Sequence, residues 1–250
     1  MLRAAARTSI SVCLFAASVA SAQAAKTDGL LGISFSGDAA SKGANVPLQI
    51  VLLLTVLTLL PAVVMCLTPF LRITIVLHFL RQALGTQTVP SNQILIGLAL
   101  FLTSLVMRPV LNEIYQTSWQ PMEQGKLSTQ QAVDVAAKPL QQFLLRFARE
   151  KDIRLFVEIS QSPAPANPRD VSLTVLIPAY IISELRAGFQ IGAVLYLPFL
   201  VIDLLVAAIT LSIGMVQLPP VMVSAPFKIL LFVLVDGWNL VVGSLVKTFG

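Results

Sequence analysis

Two carboxylates interrupt long apolar segments of the chain. Asp203 lies in the middle of residues 189–218, and Asp236 lies within residues 229–246. An ionised carboxylate in hydrocarbon costs roughly 2.5 to 3.5 kcal/mol on insertion scales, so each acid should face a partner or water. The two acids are compatible either with a proton relay or with ion pairing between helices or subunits, and we favour pairing. The basic residues available to them are Arg81, Arg186 and Lys228.

A relay needs a connected chain of titratable groups, and His78 is the single histidine. We therefore predict that His78 is a packed or hydrogen-bonded helix residue. The sequence has no HExxH, GxSxG or Walker GxxxxGK[ST] motif and no Cys or His cluster. These observations predict a protein that is not an enzyme and that needs no metal and no cofactor.

The segment LSIGMVQLPPVMVSAPFK, residues 211–228, joins two apolar stretches and carries two consecutive prolines. We expect the prolines to end the first helix and to make a hairpin tip. The tip is either a simple connector or a pore constriction. From the residues alone we favour the connector, because prolines are common in turns. Met215 is compatible with a constriction, because an unbranched methionine can deform around a variable object and apolar constrictions gate by dewetting.

Few of the apolar segments that must position these residues are clean membrane spans. The chain of 250 residues is 56% hydrophobic and only 12% charged, which is typical of a membrane protein. Residues 48–67 form an uncharged run of spanning length, with a kink expected at Pro61. The other runs are short, broken by proline or charged, so they need protein neighbours. They are residues 94–107, 171–182, 189–218 and 229–246. We therefore predict one subunit of a larger helical assembly.

The N-terminus has the pattern of a removable signal peptide, residues 1–24. Arg3 and Arg7 precede an apolar stretch that is too short to span a bilayer, and small residues suited to cleavage follow it. Removal lowers the formal charge from +5 to +3, which does not favour binding of nucleic acid. A polar segment, residues 25–47, comes next.

Residues 113–170 contain seven basic and seven acidic residues and are predicted to be a solvated insertion between a first hairpin, 48–112, and a second hairpin, 171–250. Ser128 and Gln131 fit a capping box, and Pro139 fits the start of a helix. Four crossings would place the insertion in the periplasm. Arg72, Arg81 and Lys228 would then follow the positive-inside tendency in cytoplasmic loops.

Longer strings resemble the FliP family of flagellar export proteins and cover most of the chain after the signal peptide. They are FLRITIVLHFLRQALGTQTVPSNQILIGLALFLT (70–103), AAKPLQQFLLRFAREKDIRLF (136–156), LIPAYIISELRAGFQIGAVLYLPFLVIDLLVA (176–207) and LPPVMVSAPFKILLFVLVDGWNLVVGSL (218–245). Relatives of this family also occur in virulence-type injection systems, but these strings are similar to those of the flagellar members.

The resemblance implies a gate component at the bacterial inner membrane, in the flagellar basal body, with parts exposed to the periplasm. Several copies would assemble with FliQ and FliR, and with further export-apparatus proteins, into a channel for unfolded flagellar proteins. The family closes its pore with a methionine-rich loop before paired prolines. This chain keeps one methionine there, followed by Val216 and Gln217.

We therefore predict an all-α integral membrane protein of helical hairpins with kinked or broken apolar helices, assembling into a multi-subunit channel in contact with membrane lipid. The predicted constriction residues are Met215, Val216, Gln217, Leu218, Pro219 and Pro220. The predicted charge contacts are Glu184, Arg186, Asp203, Lys228 and Asp236, with Gly188 and Gly192 as a GxxxG helix-packing motif. The alternatives are an ion-coupled secondary transporter, a virulence-type homologue and a membrane scaffold.

Overall fold

The computed structural model describes residues 45–86, 88–161, 171–215 and 219–250. The chain divides into two compact units, Met1–Leu48 and Gln49–Gly250, and the described residues belong almost entirely to the second. The residues outside the described ranges include the predicted signal peptide, most of the predicted polar segment 25–47, residues 162–170 and Val216 to Leu218.

Every regular element among the described residues is a helix, which confirms the all-α prediction. The helices are α1 (Asn45–Cys66), α2 (Phe70–Ala83), α3 (Asn92–Ile114), a π-helical turn (Tyr115–Trp119), α4 (Gln120–Glu123), α5 (Thr129–Phe147), α6 (Glu150–Ile159), α7 (Leu173–Ser212), α8 (Pro220–Leu234) and α9 (Gly237–Lys247).

Two helical stretches in the described part are long and apolar enough to cross a membrane, namely Asn92–Glu123 and Leu173–Ser212. Two bent pairs raise the number of spans to as many as four if each pair counts as one. These are Ile50–Cys66 with Phe70–Ala83, bent by 70°, and Pro220–Leu234 with Gly237–Lys247, bent by 67°. The interruption expected within residues 229–246 is therefore present, whereas residues 94–107, expected to be a short run, lie within the continuous stretch Asn92–Glu123.

Helix α7 contains 40 residues and runs through Pro178 and Pro198. At 1.5 Å per residue it is about 60 Å long, whereas the hydrocarbon core of a bilayer is about 30 Å thick. The two separate segments expected between residues 171 and 218 are one helix. Part of it must therefore lie outside the lipid core.

The prediction that Pro139 starts a helix is wrong, because α5 begins ten residues earlier at Thr129. The predicted capping box forms there: Gln131 N–H donates to Ser128 Oγ, and Ser128 N–H donates to Gln131 Oε1. Pro139 is itself buried beside Phe143 and Leu144 on the packed face of α5. This packing offsets the hydrogen bond that an internal proline removes.

Helix α2 is the centre of the core, with seven of its fourteen residues buried. Its apolar face packs on α3 and on the end of α9, through a cluster that includes Ile73, Leu77, Ala99 and Leu245. Its other contacts are with α7. Ile75 lies at Gly188 and Phe79 lies at Gly192, so α2 and α7 run in the same direction. Helix α2 therefore sets the relative positions of three other helices.

Candidate functional site: buried ion pairs and the hairpin tip

An arginine on α2 and a glutamate on α7 form a buried ion pair. Arg72 Nε donates to Glu184 Oε2 at 2.9 Å, and Arg72 Nη2 donates to Glu184 Oε1 at 2.5 Å. The side chains are 7% and 0% exposed, respectively. The bidentate geometry satisfies the carboxylate on both oxygens, and this is the arrangement in which arginine–carboxylate pairs are strongest. The pair fixes the register of α2 against α7.

The residues that follow α9 contact the same guanidinium. Arg72 Nη1 donates to Thr248 Oγ1 at 3.2 Å. The Arg72 Cζ atom lies 4.1 Å from the ring centre of Phe249 and 5.6 Å from that of Phe147. Both distances allow cation–π attraction. Arg72 therefore joins α2, α5, α7 and the residues after α9.

Sequence reasoning did not identify Arg72 as a site residue, because it assigned Arg72 and Lys228 to cytoplasmic loops. Both residues lie inside helices and are buried in ion pairs. Their charges therefore carry no information about which loops face the cytoplasm. The signal that would have found Arg72 is a basic residue within an apolar helical pattern, since such a residue needs an acid nearby.

The predicted GxxxG residues lie where α7 meets α2 most closely. A Cβ atom added to Gly192 would stand 2.6 Å from Phe79 Cγ, and one added to Gly188 would stand 3.1 Å from Ile75 Cβ. Phe79 also packs edge-on against Phe189, with ring centres 5.6 Å apart. The two glycines allow the approach that brings Arg72 within reach of Glu184.

We expect Gly192→Ala to lower the free energy of unfolding by about 1 to 3 kcal/mol, because the Phe79 ring must move. The matched control is Gly97→Ala in α3, where an added Cβ meets nothing within 4 Å. The control should be neutral or up to about 1 kcal/mol stabilising, because alanine favours a helix. Thermal unfolding in detergent measures both variants, and equal effects at the two positions would contradict the close approach.

A second ion pair joins α7 to α8. Lys228 Nζ donates to Asp203 Oδ2 at 2.6 Å, and Ser224 Oγ donates to Asp203 Oδ1 at 2.5 Å. The lysine side chain is 1% exposed and the aspartate side chain 20% exposed. Of the basic residues considered from the sequence, Lys228 is the one that contacts Asp203. Ser224 was not anticipated.

Asp236 and Arg186 have a different environment. Asp236 lies at the break between α8 and α9 with φ = 51°, is exposed, and accepts a hydrogen bond from Asn239 Nδ2 at 3.2 Å. Arg186 is exposed on α7. Neither has a recorded ion pair within the described ranges. Their role as charge contacts stays a prediction.

His78 is hydrogen-bonded on α2, with Arg81 Nη2 at 3.3 Å from His78 Nδ1. Arg81 Nη1 also donates to Asn92 Oδ1 at 2.5 Å, across the turn between α2 and α3. No recorded contact in the described part of the chain links His78 to Asp203 or Asp236. The described contacts of His78, Asp203 and Asp236 are therefore separate from one another.

The hairpin tip begins before the paired prolines. Helix α7 ends at Ser212, and Gly214 follows with φ = 82°. Gly214 N–H donates to Leu211 O and Met215 N–H to Thr210 O, which is the hydrogen-bond pattern of a Schellman motif. The expectation that the prolines end this helix is wrong. Glycine ends it, since it adopts a positive φ without strain, and Pro220 begins α8.

Met215 is half-exposed at the tip, and Val216, Gln217 and Leu218 lie outside the described residues. The predicted constriction is therefore seen at its two ends only, at Met215 and at Pro219 and Pro220. Its sealing role stays a prediction.

Large apolar side chains remain uncovered over much of α1, α7 and α8. Exposed examples are Leu57, Leu60, Val194, Leu204, Leu205, Met222, Val233 and Leu234. A soluble monomer rarely exposes so much contiguous apolar surface, and such surfaces mark contact with membrane or protein. No group of His, Cys, Asp and Glu suited to a metal occurs among the described residues.

Comparison with known proteins gives matches to one family over most of the chain. The FliP family profile matches residues 53–245. The flagellar biosynthetic protein FliP of Pectobacterium carotovorum subsp. carotovorum is 48% identical over 201 residues, which cover 80% of this chain and 78% of that protein. The corresponding protein of Bacillus subtilis (strain 168) is 47% identical over 80% of this chain and 91% of its own length. The Cereibacter sphaeroides protein is 48% identical over 81% of this chain and 67% of its own length.

Proposed function

The chain belongs to the FliP family, and from this premise we propose that it is a subunit of the flagellar type III protein export gate in the bacterial inner membrane. Together with further copies of itself and with FliQ and FliR, it would form the channel through which unfolded flagellar proteins leave the cytoplasm. The chain would supply the passage, and partner proteins would supply the energy.

The observation that supports a channel subunit most directly is the uncovered apolar surface of α7. The helix is about twice as long as the lipid core is thick, yet residues along its length, among them Phe189, Leu197 and Ile209, are exposed in the single chain. Surface beyond the lipid core needs protein to cover it. Neighbouring copies and partner subunits provide that cover.

The ion pairs support the same proposal, because they hold α2, α7 and α8 as one unit. Arg72 with Glu184 and Lys228 with Asp203 are both internal to the chain. A subunit held together in this way can pack beside other subunits without separation of its hairpins. The tip, of which Met215, Pro219 and Pro220 are described, would then project from this rigid unit into the proposed lumen.

The proposed constriction is tested by replacing Met215, Val216 and Gln217 together with glycine. We expect a higher conductance of small ions through the assembled complex in planar bilayers, because the substitution removes bulk from the gate. Assembly should be unchanged, since the ion pairs are untouched. Gln217 is a polar member of this gate and would make its seal less dry than a run of methionines.

The matched control places glycine at Gln124 and Lys126, which lie in an exposed turn of the insertion. These substitutions should leave conductance at the wild-type value. A triple-glycine gate variant that conducts no more than the control would reject the constriction at this position.

The channel itself is tested by copy number and by imaging. The chain, co-expressed with FliQ and FliR, should purify as a ring with several copies around a central passage. A stable monomer, or a complex with no passage at native expression levels, would contradict the proposal. An ion-coupled transporter predicts neither a ring nor a lumen wide enough for a polypeptide.

A further inference from the structure

The turn between α2 and α3 contacts the start of α8. Gly85 lies in this turn with φ = 73°, a backbone conformation that glycine adopts without strain. A Cβ atom added to Gly85 would stand 3.6 Å from Ala225 Cβ and 3.8 Å from Val221 Cγ1. Val221 and Ala225 are four residues apart, so they lie on one face of α8. The turn therefore packs against the first two turns of this helix.

Another face of α8 is held by α7 at the same level. Ser224 Oγ and Lys228 Nζ both donate hydrogen bonds to the Asp203 carboxylate. The start of α8 thus has α7 on one side and the α2–α3 turn on the other. Because α8 begins at Pro220, directly after the hairpin tip, these two contacts fix the point at which the chain returns from the tip.

Arg81 holds the α2–α3 turn in its shape. Arg81 Nη1 donates to Asn92 Oδ1 and, at 3.5 Å, to Pro90 O. The Arg81 carbonyl accepts a hydrogen bond from Thr86 Oγ1 at 3.2 Å. One residue thus joins the end of α2, the residue that follows Gly85 and the start of α3. The shape of the turn, and with it the place of Gly85, depends on these bonds.

Apolar packing secures the end of α2 separately from these polar bonds. A buried cluster joins the end of α2 to α7 and α8, and its members are Leu80, Ala83, Leu84, Phe199 and Phe232. The cluster involves neither the guanidinium of Arg81 nor the turn residues after Leu84. Loss of the Arg81 side chain should therefore loosen the turn from α8 while the cluster remains packed.

We propose that residues 81–86 form a seat for α8, with Gly85 as the contact residue and Arg81 as the positioning residue, and that this seat sets the position of the hairpin tip. Arg81 acts through the shape of the turn. The expected effect on ion passage rests on the proposed constriction, whereas the contact between the turn and α8 does not.

A disulfide tests the contact in the assembled complex. Gly85→Cys is combined with Ala225→Cys in a chain whose Cys13 and Cys66 are replaced by serine. The separation of 3.6 Å lies within the range of about 3.5 to 4.5 Å between the Cβ atoms of a disulfide. Oxidation should therefore link the two positions within one chain, as mass spectrometry of the unreduced peptides detects.

The control pair is Gly97→Cys with Ala225→Cys, because a Cβ atom added to Gly97 meets nothing within 4 Å. This pair should form no intramolecular disulfide. An assembled complex in which the Gly85 pair crosslinks no better than the Gly97 pair would overturn the seat.

Hydrogen exchange tests the role of Arg81 without any cysteine, and so decides the matter even if Gly85→Cys does not accumulate. Arg81→Gln should speed exchange of the backbone amides around Ala225 about threefold to tenfold, because it removes charged hydrogen bonds at a partly exposed site. Arg81→Lys should retain part of the protection. Arg154→Gln, at an exposed ion pair of the insertion, should change nothing there. Exchange around Ala225 that is unaltered by Arg81→Gln would overturn the positioning role.

Conductance in planar bilayers tests the link from the seat to the tip. Arg81→Gln should raise the conductance of small ions, and the disulfide between positions 85 and 225 should return it to the wild-type value until a reductant is added. A purely structural effect of Arg81 on stability would not respond to this crosslink. If the triple-glycine tip variant conducts more but Arg81→Gln does not, the link is overturned and the constriction stands. If neither conducts more, the constriction is rejected, and the crosslink and the exchange rates decide the seat.

Discussion

Replacement of Glu184 by alanine is expected to lower the free energy of unfolding by about 3 to 5 kcal/mol, because it leaves the Arg72 guanidinium buried without a counter-charge. Glu184 is fully buried and accepts two hydrogen bonds from Arg72. Chemical or thermal unfolding of the purified chain in detergent measures the loss. Accumulation in cells should fall with it, because the free energy of unfolding of most proteins is only about 5 to 15 kcal/mol.

The informative control removes both charges. Arg72→Met combined with Glu184→Leu leaves no unpaired charge in the core and should recover much of the loss, because a well-packed apolar pair often replaces a buried ion pair without penalty. Arg72 also contacts Thr248 and Phe249, so recovery should be incomplete. A double variant no better than Glu184→Ala would contradict charge burial as the cause.

Replacement of Asp203 by alanine is expected to destabilise the hairpin of α7 and α8 by about 3 kcal/mol, at the lower end for a broken buried pair, because the aspartate is partly exposed. Lys228 would then be buried without a partner. The yield of assembled complex should fall with stability, as measured by size-exclusion chromatography with copy-number determination.

Asp236→Asn is the matched control, since it removes an exposed charge whose contact is with Asn239, and asparagine tolerates the positive φ at this position. The stability of the single chain should change by no more than about 0.5 kcal/mol. A loss of complex yield without a loss of chain stability would indicate that Asp236 pairs with another subunit. Normal assembly of Asp203→Ala, accompanied by lost proton coupling, would favour the relay over structural pairing.

The two ion pairs and the two close glycines act on one set of helices. Gly188 and Gly192 bring α7 against α2, and Glu184 lies one turn before Gly188 on the same helix. Variants at Gly192 and Glu184 should therefore couple in double-mutant measurements, because they share the α2–α7 contact. Their effects on complex yield should follow their effects on stability.

Much of the candidate site could be predicted from local sequence patterns. Glu184, Asp203 and Lys228 stand out as charges in apolar surroundings, and the predicted glycine pair lies at a close helix contact. The capping box of α5 was also predicted correctly, since it depends on residues three apart. Helix ends near proline were less predictable, because packing of Pro139 and the glycine cap after α7 outweighed local propensity.

The amino-acid sequence by itself determined the helical class, the membrane setting and the family, because composition, periodicity and long matching strings are local properties of the chain. Only the tertiary structure decided which charges meet. Arg72 and Glu184 are 112 residues apart, and Thr248 is 176 residues from Arg72. No local spacing encodes such partners, because helix packing alone brings them within hydrogen-bond distance.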